Sequence, residues 1–361
     1  MSKTDQKITD IQTFAFKELE TLNDMITSAK GLPLDLEEKL RQMLQRLERM
    51  AKFGHYAAEF DTLSRYIEVV TSIPWKTETT DNLDLKKTKE KLDANHYGME
   101  YVKERVLEYL STIILLKKRG KDALAESPIL LLVGLQGVGK TTLAMSIAEA
   151  LGRKFTRIPI GGIGSTLELR GRSKSFPRSE PGQIIKALMK TQVKNPLILL
   201  DEIEKASGES GLQADVNAVL LEILDPKQNT NFRDYYVDYP YNLSDVMFIC
   251  SANNTGPLST ALLDRMEIIK MPSYTDHEKA VIARDYLLPE IMEQSGLEPG
   301  ELEIDPDLWP GIVRPFGYDS GIRSLGRTLS SICRKVAKEI VEEKSDKVYI
   351  NEENLKNYLP T

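Results

Sequence analysis

The sequence has little with which to cross-link itself: two cysteines, Cys250 and Cys333, in 361 residues. Cys250 lies in an apolar, strand-like run and Cys333 in a helical pattern, so neither a disulfide framework nor a four-ligand zinc site can form within one chain. The expectation is two buried small hydrophobes in a reducing compartment. Histidine is sparse too: His55, His96 and His277 are the three, and none stands where a hydrolytic triad would need it. A basic excess is also absent. With 48 Lys and Arg against 54 Asp and Glu, a net charge of -6 offers no general attraction for nucleic acid or an anionic membrane. No stretch approaches the roughly 20 apolar residues needed to span a bilayer, and the opening "MSKTDQKITD" lacks the apolar core of a signal peptide. These absences imply a cytoplasmic protein. Repeats and low-complexity tracts are missing as well. What is present, 41% hydrophobic and 28% charged residues, suits a globular protein of two or three domains, large enough to be an enzyme.

The apolar positions Ile11, Ala15, Leu19, Leu22, Ile26 and Ala29 recur at three or four, the stripe of an amphipathic helix. "GLP" at Gly31 to Pro33 breaks it. A second stripe runs through Leu36, Leu40, Met43, Leu47 and Met50, and a third through Phe60, Leu63, Ile67 and Val70 to "SIPW" at Ser72 to Trp75. Residues 1–78 therefore read as a helical lead-in, packed on the next domain or on another copy. "TETTDNLD" reads as a polar connector, and two further helical patterns flank a turn at Asn95 to Gly98. Beyond Pro128 the short apolar runs "ILLLVG", "KFTRIPIG", "PLILLDE", "DVMFICSAN" and "MEIIKMP" alternate with helical ones. Runs of this kind suit a parallel sheet covered on both faces, so residues 79–272 read as an α/β domain. After Pro272 the strands fade, and residues 273–361 read as a small all-helical domain.

Gly134-Leu135-Gln136-Gly137-Val138-Gly139-Lys140-Thr141 fits G-x-x-x-x-G-K-[ST] between a strand and a helix. The glycines let backbone amides wrap phosphates at a helix N-terminus. Lys140 is then expected to reach the β and γ phosphates and the Thr141 hydroxyl to ligate magnesium. About sixty residues on, "PLILLDEIEK" ends a strand in Asp201-Glu202. Asp201 can hold magnesium through its water shell, and Glu202 can polarise the attacking water. Taken alone, such a pair is usually a helix N-cap. Asn253, at the end of "FICSANN", is placed to position the same water; the alternative is an ordinary strand-end turn. ATP and Mg2+ are the implied cofactors.

With these residues in place, the sequence resembles the ATPase portion of the Lon protease family, a branch of the AAA+ ATPases. The likeness runs from about Leu36 to the end, through "SIPW", "LDANHYGMEYVKERVLEYL", "GVGKTTLA", "PLILLDEIEK", "LLEILDPKQNTNFRDYYVD", "LSDVMFIC", "LLDRMEII" and "SGIRSLGR". It implies a P-loop AAA+ domain with a parallel sheet, preceded by a helical region and followed by a helical lid. By the same resemblance, Gly134 to Thr142 hold nucleotide, Arg265 is an arginine finger reaching a neighbour's γ phosphate, and Arg323 is a second sensor on the lid. His96 and Tyr97 line the adenine pocket. The alternatives are a surface arginine paired with Asp264 or Glu267, a helix-surface charge, and a turn packed against the sheet. A finger acting in trans requires a ring, and family members form hexamers.

Three departures stand out. In "RGRSKSFPRSEPGQ", Phe176 takes the place of the aromatic that pushes on an unfolded polypeptide, but Pro177 follows where the family has an aliphatic residue. Proline stiffens the loop and removes a donor; the alternative is that Phe176 packs under its loop. Leu135-Gln136 replace two prolines, which a site working through backbone amides should tolerate. Finally, the sequence stops about where the family's Ser/Lys peptidase domain begins and starts within the helical region that follows its substrate-recognition domain. The expectation is a motor that unfolds, translocates or remodels protein substrates without cutting peptide bonds itself, acting alone or with a separate peptidase. An ATP-gated, slowly hydrolysing scaffold is the competing expectation.

Overall fold

The computed structural model describes residues 17–52, 58–206, 212–314, 322–343 and 345–360. The start of the first helical stripe, before residue 17, and His55 lie outside them. The lead-in forms helices over residues 17–28, Leu34–Lys52 and Ala58–Ser72. In the second, Leu36, Leu40, Leu44, Leu47 and Ala51 are buried, so the inward stripe passes through Leu44 rather than Met43. Trp75 closes this region. Its indole N–H donates to the Val70 carbonyl at 3.0 Å, and its ring lies 5.3 Å from Tyr241 and 5.8 Å from Tyr239. The Tyr241 hydroxyl donates back to the Pro74 carbonyl at 2.7 Å, and the buried Tyr66 hydroxyl to the Val237 carbonyl at 2.7 Å. The helical lead-in is thus packed on the segment that follows the α/β strands' acidic pair.

The "TETTDNLD" connector is an ordered strap. Lys194 N–H donates to the Thr77 carbonyl at 2.7 Å, Thr79 N–H to the Asn195 side chain at 2.9 Å, and Asn82 N–H to the Leu151 carbonyl at 2.9 Å. Asp81 receives Arg153 through two 2.8 Å bonds and Lys117 besides. Burial by itself would raise the Asp81 pKa, but the bonds and charges of Arg153 and Lys117 outweigh it and hold the carboxyl below its ordinary value.

All five expected strands form: β1 (Ile129–Val133), β2 (Phe155–Pro159), β3 (Leu197–Asp201), then β6 (Met247–Ala252) and β7 (Met266–Lys270). They make one parallel sheet in the order β2-β3-β6-β1-β7. β2 pairs β3 with Pro159 opposite Asp201, and β3 pairs β6 with Leu200 opposite Cys250. β3 and β6 are buried at every position, which is why they read as unbroken apolar runs. Burial pushes the Cys250 thiol far up and that of Cys333 up to about 11, so both behave as inert core residues.

Two short sheets carry no signal in the sequence. β4 (Phe232–Arg233) pairs antiparallel with β5 (Pro240–Tyr241), and β8 (Leu302–Ile304) pairs parallel with β9 (Val348–Ile350). The closing region is therefore helical except for a two-stranded ladder, beside a core that includes Ile291, Trp309, Leu325, Leu329, Ile332 and Val336. The chain forms two compact units interleaved in sequence. One is Met1–Asp84, Leu110–Leu131 and Ile147–Glu267; the other is Leu85–Tyr109, Leu132–Ser146 and Ile268–Thr361. Parallel strands need crossovers, so segments far apart in sequence become neighbours.

Replacing Asp81 by Ala leaves the Arg153 side chain, 3% exposed, without its counter-charge. The expected cost is about 3–5 kcal/mol, read as a lowered urea midpoint at unchanged slope. Because the folded pKa lies below the unfolded one, the wild-type contribution is present above the ordinary carboxylate value and fades as pH falls through the folded value; the variant should lack that acid-side slope.

Candidate active site

The glycine-rich loop belongs to the second unit. Gly137 and Gly139 adopt φ +81° and +92°, the left-handed region open to glycine. At Gly134 an added Cβ would lie 2.7 Å from the Met271 carbonyl. A loop that cradles an anion must turn its carbonyls elsewhere, and here those of Gly134, Leu135, Gly137 and Gly139 have donors. Lys140 Nζ donates to the carbonyls of Gly134 and Leu135 at 2.5 and 3.0 Å. The Thr142 hydroxyl donates to the Gly139 carbonyl at 2.9 Å, and the Ile322 amide to the Gly137 carbonyl at 3.1 Å. Val138 is buried beneath the loop, whereas Leu135 and Gln136, which replace the family's prolines, are exposed. Thr141 is half-buried in the first turn of the helix Lys140–Leu151.

Ile322 is followed by Arg323, the first residue of the 19-residue helix Arg323–Val341. The bond from Ile322 therefore sets the start of the lid helix against the glycine-rich loop, and Arg323 is exposed there. His96 is buried and tied into its surroundings. Its Nε2 lies 3.0 Å from the Ser146 hydroxyl, to which Asn95 also donates at 2.9 Å, and its ring bonds the Thr142 backbone. Burial, assisted by the charge of Lys103, pushes its pKa down to about 4. Tyr97 beside it is half-buried. The sequence offered no hint of Tyr274, whose hydroxyl lies 3.5 Å from where a Cβ on Gly139 would stand; burial pushes its pKa up to about 12.

The acidic pair belongs to the first unit. Asp201 is the last residue of β3, and its side chain is 5% exposed. The Ser251 hydroxyl donates to one of its oxygens and accepts the Glu202 N–H at 3.1 Å. Arg157 Nε lies 2.6 Å from the other oxygen. Glu202 sits at φ +58°, ψ +48° and makes no side-chain capping bond, so the N-cap alternative does not describe it. The left-handed turn, uncommon outside glycine, takes the chain abruptly out of the strand direction. Lys205 Nζ pairs with Glu202 Oε2 at 2.9 Å, and the Asn253 amide donates to the buried Glu204 at 2.6 Å. Ser251, Arg157, Glu204 and Lys205 were not singled out from sequence. Ser251 had a signal, a hydroxyl inside an apolar strand; Arg157 had only its place near the end of one.

Arg265 is engaged by an acid the sequence reading did not name. Its guanidinium meets Asp225 at 2.9 Å, a residue just beyond the helix Leu212–Leu224, and its side chain remains 36% exposed. Phe176 is not packed under its loop: it is 51% exposed, with the Arg172 guanidinium 4.7 Å from its ring centroid, and Pro177 is exposed beside it. The loop is tied at its root. Buried Asp234 accepts Gly182 N–H at 2.7 Å and the amides of Tyr236 and Val237 at 2.8 and 3.1 Å. Within the loop, Lys174 Nζ lies 3.6 Å from the Tyr66 ring centroid.

Residues 130–273 match the family model "ATPase family associated with various cellular activities (AAA)", which places the α/β region among the AAA+ ATPases. Residues 293–349 match the Lon protease AAA+ ATPase lid domain. The chain is 42% identical over 333 residues to Lon protease 2 of Thermus thermophilus, covering 90% of this chain and 41% of that protein. It is 41% identical to Lon protease 1 of Bacillus subtilis, covering 95% and 43%, and 41% identical to the Lon protease of Escherichia coli K12, covering 95% and 42%. This chain carries the AAA+ ATPase and lid domains of the Lon protease family, and it spans about two fifths of the length of these relatives.

The neutral, buried His96 yields a direct check. Followed by NMR of its ring carbons, it should stay uncharged from pH 8 down to about pH 5 and titrate near pH 4. A midpoint near the ordinary value of about 6.5 would mean that the ring is solvated and its ties to Ser146 and Thr142 are not held in solution.

Proposed function

We propose that the chain binds ATP with magnesium and hydrolyses it as a Lon-type AAA+ motor, working as a homo-oligomeric ring, a hexamer, in the cytoplasm. Its substrates are unfolded or misfolded proteins, which it unfolds, translocates or remodels. The observation that carries the reading is the loop from Gly134 to Thr141, with its two left-handed glycines and the Gly137 and Gly139 carbonyls engaged by Ile322 and Thr142. β1, which feeds that loop, is a strand of the same parallel sheet as β3 and β6, and open sheets of this kind bind ligands outside the carboxyl ends of their strands. Among the described residues no helix is long and apolar enough to cross a membrane. Nucleic acid is not the proposed partner, given the net charge of -6.

Magnesium suits the donors. Thr141 and Asp201 offer hard oxygens, and among the described residues no group of three or more His, Cys, Asp or Glu could hold a metal unaided. Magnesium keeps several waters and takes further ligands from phosphate oxygens, so a hydroxyl and one carboxylate are a sufficient protein share. When bound, it supplies charge neutralisation across the β and γ oxygens. Lys140 gives up its own-loop carbonyls for phosphate oxygens. Glu202 orients and polarises the attacking water, and Asn253, held by Glu204, helps position it. Arg323 enters from the lid of the same subunit, and His96 and Tyr97 are proposed to border the base. Arg265 stabilises charge at the neighbour's γ phosphate, and Phe176 with Pro177 meets the protein substrate. The relatives are proteases by name; for this chain only the ATPase part is proposed.

A second reading, an ATP-gated scaffold that hydrolyses slowly, draws on the Glu202–Lys205 ion pair, which engages the proposed base. Steady-state turnover separates the two. The motor reading expects Lys140→Ala to lose ATP binding, Glu202→Gln to bind but hydrolyse ~10²–10⁴-fold more slowly, and Arg265→Ala to bind with a loss of ~10³–10⁵ in rate. Mixing Glu202→Gln with Arg265→Ala chains should restore part of the activity, because some interfaces then combine an intact base with an intact finger. Parent-rate turnover by Arg265→Ala would remove the inter-subunit assignment, and no turnover by the parent at any concentration would favour the scaffold.

A further inference from the structure

Arg157 stands third in β2, with Nε 2.6 Å from Asp201 Oδ2. The Asp201 side chain is buried, while that of Arg157 is 44% exposed. The opposite oxygen, Oδ1, accepts the Ser251 hydroxyl, and Ser251, fully buried, also accepts the Glu202 amide. These two partners differ in how easily they can leave. Withdrawing Ser251 would strand a buried carboxylate oxygen and a backbone amide together, each at a desolvation cost. Arg157 is long, half in water and free of that constraint, so its guanidinium can turn out to solvent. A cation approaching Asp201 must therefore come to Oδ2, and it meets Arg157 there.

We propose that Arg157 and the divalent cation compete for Oδ2 of Asp201, so that Arg157 determines how tightly the site holds its metal. The inference rests on the reading of Asp201 as the magnesium residue. An arginine cannot lose its proton to make room; it can only move, because a guanidinium on Oδ2 keeps a hydrated dication from that oxygen and repels it. Nearby, Lys205 pairs with Glu202, and Glu204 accepts the Asn253 amide. Asp201 and Glu202 thus each have a cationic partner, and Oδ2 is the position at which a cation is exchanged.

The test counts free Mn2+ by electron paramagnetic resonance while Mn2+ is titrated into the ADP-saturated chain. Arg157→Met should lower the apparent Mn2+ dissociation constant about threefold to fivefold, the worth of one partly exposed ion pair. Arg157→Lys, which keeps the charge but not the planar Nε contact, should fall between Met and parent, and it decides the matter if the Met variant does not fold. Unchanged or weaker Mn2+ binding in both variants overturns the proposal, since an arginine that merely holds Asp201 in place would give that result. Asp201→Asn serves as the control. It should lose Mn2+ affinity, and if it binds as the parent does, the assignment of Asp201 itself has failed, whatever Arg157 does.

Discussion

Strands β3 and β6 are buried at every position, so a charge can enter either strand only at its end, where the chain turns towards water, and only in company. Asp201 meets that demand with a buried hydroxyl on one oxygen and an arginine on the other. Its neighbour Glu202 leaves the strand in a left-handed turn, and the same Ser251 oxygen takes the amide that this turn would otherwise leave unmatched. Asn253 is likewise held, by a buried glutamate. The dry sheet therefore does two things at once: it supplies the apolar burial that stabilises the fold and holds the Asp201 carboxylate between two partners.

The glycine-rich loop solves a different problem. Its amides are useful only if its carbonyls are occupied, and the chain engages them with Lys140, Thr142 and the lid residue Ile322. The last of these joins loop and lid helix by a single backbone bond, immediately before Arg323. A lid that shifts must stretch or break this bond, so the conformation of the loop and the position of Arg323 are linked.

The helical lead-in and the exposed loop share the aromatic residues of one neighbourhood. Tyr66 carries both the hydroxyl that bonds Val237 and the ring face under Lys174, while Asp234 ties Gly182 to Tyr236 and Val237. Burial pushes Asp234 up to about 6, and three amides offset part of that cost. Phe176 is thus presented to solvent from a loop whose base is held, although Pro177 departs from the family pattern.

Much of the architecture was legible because it follows from local periodicity. Continuous apolar runs gave all five sheet strands, three-and-four spacing gave the lead-in helices, and the glycine-lysine-threonine spacing announced the loop. The short ladders β4–β5 and β8–β9 were not legible, since two or three residues carry no period. The acidic pair could be named but not its holders: Arg157, Ser251, Glu204 and Lys205 matter because of which strand ends meet, and strand order is not written in any local stretch. The same holds for Arg265, whose partner Asp225 lies forty residues earlier, and for His96, which spends its ring nitrogens inside the protein. By itself the sequence determined which residue types stand at the ends of which elements; the tertiary structure alone decided which of them share a proton or a charge, because those distances are set by crossovers and packing between segments far apart along the chain.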